Sequence, residues 1–293
     1  MVERAAPNEH EATVAVLIAA AATAFRAGGL EQPRTEARWL VAHVLRLTDS
    51  ALLAWPDAPV APADAARVRA AIQRRAAHEP FAYVVGEREF YGRSFLVDRR
   101  VLVPRPETET LIEDALAILK QHRDTGSAPP LVVDVGTGSG AIACTVALEA
   151  PYAHIVACDL SADALSVAAE NRQRLGLAGH LALVRGSLLS WLRVPADLIV
   201  ANLPYVPAAR IPTLMPDVRN WEPHLALDGG PDGLDLVRVL LADARRMVRP
   251  GGTILLELDP EQMALAAALL PDAASQVIPD LAGLGRVLRL DLP

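Results

Sequence analysis

The sequence predicts an α/β fold, a mostly parallel sheet with helices on both faces, preceded by a small helical bundle and joined to it through a β-hairpin. Three observations predict it. From Pro130 onward, short apolar runs alternate with helical segments. Those runs are continuous in their apolar character, as in strands buried on both faces. The first eighty residues carry helical spacing, and a stretch punctuated by Gly86 and Gly92 separates the two regions.

The chain has 293 residues, of which 52% are hydrophobic and 22% charged, so a sizeable core forms and global disorder is excluded. Only 4% are aromatic, so Ala, Leu and Val build that core. The net charge of −7 speaks against a broad basic face for nucleic acid. Cys144 and Cys158 each sit in an apolar run and read as buried, reduced thiols. No Cys/His spacing points to a metal. The run Thr13–Phe25 is too short to span a membrane. Glu3, Glu9 and Glu11 precede it, where a signal peptide carries positive charge. The expectation is a soluble, cytoplasmic protein.

In order along the chain, the first helix runs from about Glu11 to Ala27 and stops at Gly28-Gly29. A second, Pro33 to Leu47, opens on proline and aligns Ala37, Leu40, Val41 and Val44 on one face. A third covers Ala63 to His78. His43 and His78 read as surface or capping residues. Between Tyr83 and Val103 the runs FAYVVG, REFYGRSFLV and RRVLV read as short strands of a hairpin. A helix follows from PRPETE, with Pro106 in its first turn and acids at its positive end. Then come LVVDVG, AHIVACD, LALVRG, DLIVAN and TILLEL as strands. GAIACTVALEA, SADALSVAAENRQRLGL, GLDLVRVLLADARRMV and PEQMALAAALL read as helices. The tail from Ser275 reads as an antiparallel pair. The resulting domains are 1–80, a helical substrate-recognition domain; 81–104, a hairpin linker; and 105–293, the α/β domain.

The residues that carry chemistry fall at the carboxyl ends of the strands, where open α/β sheets bind ligands. DVGTGSGA, Asp134 to Ala141, joins the first strand of the sheet to a helix, and its glycines allow close backbone approach to a ligand. Gly136, Gly138 and Ala141 also fit the dinucleotide pattern, so this loop alone suits a nicotinamide, a flavin or S-adenosylmethionine. Asp159 ends the next strand, where a carboxylate accepts hydrogen bonds from a ribose diol. ANLPY, Ala201 to Tyr205, separates the cases. Hydride transfer has no use for it, whereas methyl transfer to a planar NH2 group does. The Asn202 side-chain oxygen and the Leu203 carbonyl accept two N–H bonds, Pro204 keeps Leu203 extended, and Tyr205 offers a ring face. Catalysis is then positioning and electrostatics.

Asp134–Gly140, Asp159 and Asn202–Tyr205 together resemble a class I S-adenosylmethionine-dependent methyltransferase, which implies a Rossmann-like, mostly parallel seven-stranded sheet. VLVPRPETE (Val101 to Glu109), EPHLALDGGPDGLD (Glu222 to Asp235) and EQPRTEARWLVAHVL narrow this to the HemK/PrmC family. The resemblance covers nearly the whole chain. It implies methyl transfer from S-adenosylmethionine to the N5 amide of the glutamine in the Gly-Gly-Gln motif of peptide chain release factors, by a monomer with no stable nucleic-acid binding and no metal. Carried over by position, Asp134, Gly136, Thr137, Gly138, Ser139, Gly140, Asp159, Ser187, Leu188 and Asn202 hold the cofactor. Asn202, Leu203, Pro204, Tyr205, Arg105 and Glu107 hold the substrate, with Asn202 and Tyr205 catalytic. Arg105, Glu107 and Thr108 help close the cleft. Two positions depart from the family pattern: Leu203 stands where the family has a first Pro, and Ser187 where it has an Asp near the adenine. Two other readings remain: a nucleic-acid adenine N6-methyltransferase, because Asn-Leu-Pro-Tyr also occurs in rRNA adenine dimethylases, and a catalytically silent S-adenosylmethionine-binding assembly factor.

Overall fold

A computed structural model describes residues 12–126 and 128–293. The chain divides into two compact units, Met1–Gly86 and Glu87–Pro293. The division falls at Gly86, inside the stretch 81–104 read as a linker.

The first unit is helical. It comprises α1 (Val14–Ala27), α2 (Pro33–Leu45), α3 (Asp49–Ala54), α4 (Pro62–Ala76) and α5 (Phe81–Val85). The Thr13 hydroxyl caps α1 by accepting from the Val16 N–H. Glu11, expected to open that helix, lies outside the described residues, as do Glu3 and Glu9. At the other end of α1, a Cβ on Gly28 would stand 2.9 Å from the Ala76 carbonyl, so only glycine lets α1 end there against α4. Leu17, Phe25, Leu40, Val41 and Val68 fill the core between these helices. Two elements differ from expectation. α3 is a single short helix capped by Thr48 and carries too few residues to show a period. FAYVV is helical, not a strand. A five-residue apolar run fits either period, and Arg74 decides it by donating to the Tyr83 and Val84 carbonyls at the end of the turn.

The second unit opens with the hairpin β1 (Glu87–Phe90) and β2 (Arg93–Leu96), which turns at Tyr91-Gly92. RRVLV, expected as a third strand, is not a strand: β2 ends at Leu96 and the next element is the turn at Pro106. Val101 and Val103 are buried, but Pro104 has no N–H to continue a ladder. Pro106–Thr108 forms a 3₁₀ turn that leads into α6 (Glu109–Asp124). The alternating elements follow as β3 (Leu131–Val135), α7 (Ala141–Glu149), β4 (His154–Asp159), α8 (Ala162–Arg174), β5 (Leu181–Arg185) and β6 (Ala196–Ala201). A long connection containing α9 (Pro216–Arg219) precedes α10 (Asp235–Met247), β7 (Val248–Glu257), α11 (Met263–Ala268), β8 (Ala274–Pro279) and β9 (Gly285–Asp291).

The sheet has seven strands in the order β5-β4-β3-β6-β7-β9-β8, parallel from β5 to β7 and antiparallel through β9 and β8. Neighbouring residues of the central strands pack into opposite cores. Val132, Leu198, Val200 and Leu255 pack with residues of α6 and α7; Val133, Ile199, Ala201 and Leu256 pack with residues of α10 and α11. The chain winds outward from β3 to β5, then crosses back to lay β6 on the other side of β3. The switch point therefore lies between the carboxyl ends of β3 and β6. Register there is explicit: Cys158, Val135, Ala201 and Leu256 form one hydrogen-bonded row. One residue further along are Asp159, Gly136, Asn202 and Glu257. Among the described residues no helix is long and apolar enough to cross a membrane.

Candidate active site

A cleft of about 200 Å³ opens at this switch point. Of the residues singled out in the sequence, Gly136, Thr137, Gly138, Ser139, Asp159, Ser187, Leu188, Asn202, Leu203, Pro204 and Arg105 line it. Asp134, Gly140, Glu107 and Tyr205 do not line it.

The loop after β3 needs its glycines. Gly136, Gly138 and Gly140 have φ of 76°, 55° and 80°, in the left-handed region. A Cβ on Gly136 would press within 3.1 Å of Leu203 Cδ2. Asp134 lies fully buried beneath the loop, not at the ligand surface. Its Oδ2 accepts from the Thr137 hydroxyl (2.6 Å) and the Ala143 N–H (3.2 Å), while Oδ1 has no protein partner. Burial pushes its carboxyl up to about 7. Its structural work is to tie loop to helix. The Gly136 and Thr137 N–H groups both donate to the Cys158 carbonyl at 2.9 Å, binding the loop to β4.

Asp159 serves two backbone donors: Oδ2 accepts from Gly138 N–H and Oδ1 from Ser161 N–H, each at 2.9 Å. Ser161 in turn caps α8 through Ala164 N–H. The carboxylate is thus held by both oxygens, and each keeps a further lone pair for a ligand in the cleft that Asp159 lines. Beyond it, Leu188 adopts φ of 47°, uncommon for a residue with a Cβ. Its carbonyl is held there by the Trp191 indole N–H (2.8 Å) and the Cys158 thiol (3.3 Å). A Cβ on Gly186 would overlap the Trp191 ring at 2.4 Å, so glycine is required for the indole to reach that carbonyl. With Leu160 and Leu188 in the lining, this end suits a flat apolar ring.

On the β6 side, Asn202 Nδ2 donates to the Thr108 hydroxyl oxygen at 3.2 Å. Its Oδ1 and the Leu203 carbonyl oxygen take no hydrogen bond from the described residues, so two acceptors are left at the cleft. The Leu203 side chain is buried under Gly136. Tyr205 was expected to offer its ring to the substrate. Instead it turns its hydroxyl to Glu257 Oε1 at 3.4 Å, and burial pushes its pKa up. Its backbone carbonyl accepts from Gln262 Nε2 at 2.8 Å, which fixes the turn from behind.

The connection after Tyr205 borders the cleft with Pro223, Leu225 and Ala226. Arg105 fastens it: its guanidinium donates to both oxygens of the buried Glu222, at 2.7 and 2.6 Å. Burial raises the Glu222 pKa, and Arg105 pulls it back. Glu222 opens the motif EPHLALDGGPDGLD but was given no role of its own, and Glu257 was not singled out. Glu257 had a signal, the one acid within the apolar run TILLEL, one strand over from Asn202.

The donors and acceptors fit a nucleoside cofactor. A fixed carboxylate meets a diol, a glycine turn allows backbone approach, and an apolar slot takes a flat ring. Beside them stand two acceptors suited to an NH2 group.

Residues 17–86 match the model of the PrmC N-terminal domain, and residues 112–214 match that of the methyltransferase small domain. A release factor glutamine methyltransferase from Cereibacter sphaeroides is 43% identical over 278 residues, covering 94% of this chain and 96% of the relative. Another, from Moorella thermoacetica, is 45% identical over 265 residues, covering 89% and 92%. Among solved structures, a methyltransferase from Pyrococcus furiosus shares the fold with a TM-score of 0.50 at 17% identity, over 76% of this chain and 96% of that one. Identity at this level, running almost from end to end of both chains, makes the chain a member of the release factor glutamine methyltransferase family.

Proposed function

We propose that the protein transfers a methyl group from S-adenosylmethionine to the side-chain amide nitrogen of the glutamine in the Gly-Gly-Gln motif of peptide chain release factors. The observation that carries this reading is the Asn202 carboxamide, tied by its nitrogen to Thr108 and left with its oxygen beside the Leu203 carbonyl in the cleft. S-adenosylmethionine supplies an electrophilic methyl group when bound. Asp159 would hold the ribose diol, Gly136 to Gly138 would accommodate the chain that bears the methyl, and Leu188 and Ser187 would meet the adenine, Ser187 as an uncharged hydrogen-bonding partner.

An amide nitrogen is a poor nucleophile because its lone pair is delocalised. Asn202 Oδ1 and the Leu203 carbonyl therefore do the main work: they accept its two N–H bonds and fix the lone-pair direction. The Arg105–Glu222 clasp holds Pro223 and Leu225 at the cleft, where they keep water away. Glutamine is long and thin and suits this slot; adenine is wide and needs a basic approach for its phosphates. We assign to the helical unit the gripping of the remaining protein substrate. The protein then acts as a cytoplasmic monomer without stable nucleic-acid binding.

Incubation with labelled S-adenosylmethionine and either an intact release factor or rRNA tests this, with mass spectrometry locating the methyl. The expected product is N5-methylglutamine in Gly-Gly-Gln. Label on rRNA adenine, with none on the glutamine, overturns the reading. Asp159→Ala should weaken S-adenosylmethionine binding by roughly 1.5–3 kcal/mol, the worth of a charged hydrogen-bond acceptor. Calorimetric titration measures it, and unchanged affinity would take Asp159 out of the site.

A further inference from the structure

Glu257 ends β7 one residue past Leu256, which pairs with Ala201, so it stands level with Asn202. It is 1% exposed and does not line the cleft. Tyr205 donates to Oε1, and Oε2 has no hydrogen-bond partner. The Thr108 hydroxyl lies close enough to the carboxylate to lower its pKa. The same Thr108 oxygen accepts from Asn202 Nδ2. A hydroxyl has one hydrogen and two lone pairs. With a lone pair committed to Asn202, its hydrogen is left for another acceptor, and the buried Glu257 Oε2 is an acceptor without a partner.

We propose that Glu257 is a positioning residue for the methyl transfer: by drawing the Thr108 hydrogen to itself, it leaves only a lone pair toward Asn202, and so fixes the carboxamide with its nitrogen on Thr108 and its oxygen on the substrate nitrogen. This deepens the glutamine reading and rests on it. Without the carboxylate, the Thr108 hydrogen is free to donate to Asn202 Oδ1. The carboxamide then turns over with no loss of hydrogen bonds within the protein, and presents an NH2 group to the substrate NH2. Donor faces donor, and the lone-pair alignment is lost.

Protonation of Glu257 does the same. Burial raises its pKa to about 7, and Glu107 in the 3₁₀ turn adds to this. Arg286 of β9, Thr108 and Tyr205 oppose it. Below that pH the neutral acid no longer demands the Thr108 hydrogen, so orientation is lost as pH falls.

The test reads the Asn202 side-chain NH2 signals of the intact protein by ¹⁵N–¹H NMR, identified by their loss in Asn202→Asp. In the wild type they should move with pH around a midpoint near 7. In Glu257→Gln and in Thr108→Val that movement should vanish. In turnover on a release factor, Glu257→Leu should lower kcat roughly 10-fold or more with KM and S-adenosylmethionine affinity within about two-fold, as expected for lost alignment. Thr108→Ser, which keeps the hydroxyl, should keep the pH-dependent movement of the Asn202 signals that Thr108→Val loses. Glu257→Leu with Thr108→Val should cost no more than the larger single loss, because both break one link. Asn202 signals that ignore pH in the wild type, or single losses that multiply in the double variant, overturn the proposal. Should the wild type fail to methylate glutamine, the functional reading falls, and the NMR titration still decides whether Glu257 orients Asn202.

Discussion

Asn202→Ala should lower the methyl-transfer rate about 10²- to 10³-fold, the usual consequence of removing one preorganised polar group from a transition state. S-adenosylmethionine affinity should change far less. The side chain binds Thr108 through Nδ2 and leaves Oδ1 at the cleft, so its removal takes away an acceptor for the substrate nitrogen while Asp159 and the glycine loop stay as they are. Single-turnover rates at saturating S-adenosylmethionine, set beside calorimetric affinities, separate the two effects. A variant with near-normal rate would end the role assigned to the turn after β6. A parallel fall in affinity and rate would show that Asn202 serves the cofactor.

Gly233→Ala should be the most damaging single-methyl addition behind the site. Gly233 has φ of 79°, and its Cβ would fall 2.1 Å from the Tyr205 carbonyl oxygen and 2.2 Å from Gln262 Nε2. Those two atoms are hydrogen-bonded to each other, and Gln262 also donates to the Asp232 carbonyl. The new methyl has to break that junction and displace the turn that carries Asn202. Left-handed backbone and overpacking together should cost about 2–5 kcal/mol. Gly283→Ala supplies the control. Its φ is also 79°, but nothing lies within 4 Å of its Cβ. It should show only the backbone part, about 1–2 kcal/mol. Urea unfolding of both variants measures the difference. Equal losses would mean that the Gly233 contact relaxes freely.

The sheet was legible because strands buried on both faces are unbroken apolar runs, and each run from LVVDVG to TILLEL became a strand of it. Short segments were less legible. FAYVV has too few residues for its period to separate helix from strand, and a distant arginine settles the matter through carbonyls that leave no trace in sequence. In the site, the glycine turn, Asp159 and Asn202 could be placed because each sits at a strand end. Asp134 could not be placed correctly in detail: whether a strand-end carboxylate faces ligand or helix depends on which way the chain turns next. Tyr205 was read as a surface for substrate because an aromatic beside a proline turn suggests stacking. Its ring instead buries a hydroxyl against Glu257, a residue 52 positions away in sequence.

The shared row at the end of the sheet has a consequence for engineering. The groups proposed for the cofactor (Asp159, Gly136) and for the acceptor (Asn202, Glu257) each stand one residue past the paired row of Cys158, Val135, Ala201 and Leu256. Their spacing is therefore set by the distance between adjacent strands, roughly 4.8 Å, rather than by any loop. The sheet acts as a ruler. The long connection between Val206 and Leu234 can then vary in its outer part, provided that Gly233 and the Gln262 bonds to the Tyr205 and Asp232 carbonyls are kept. One residue inserted within β6 would do the opposite: it would keep every loop intact and reverse which face each side chain of that strand meets.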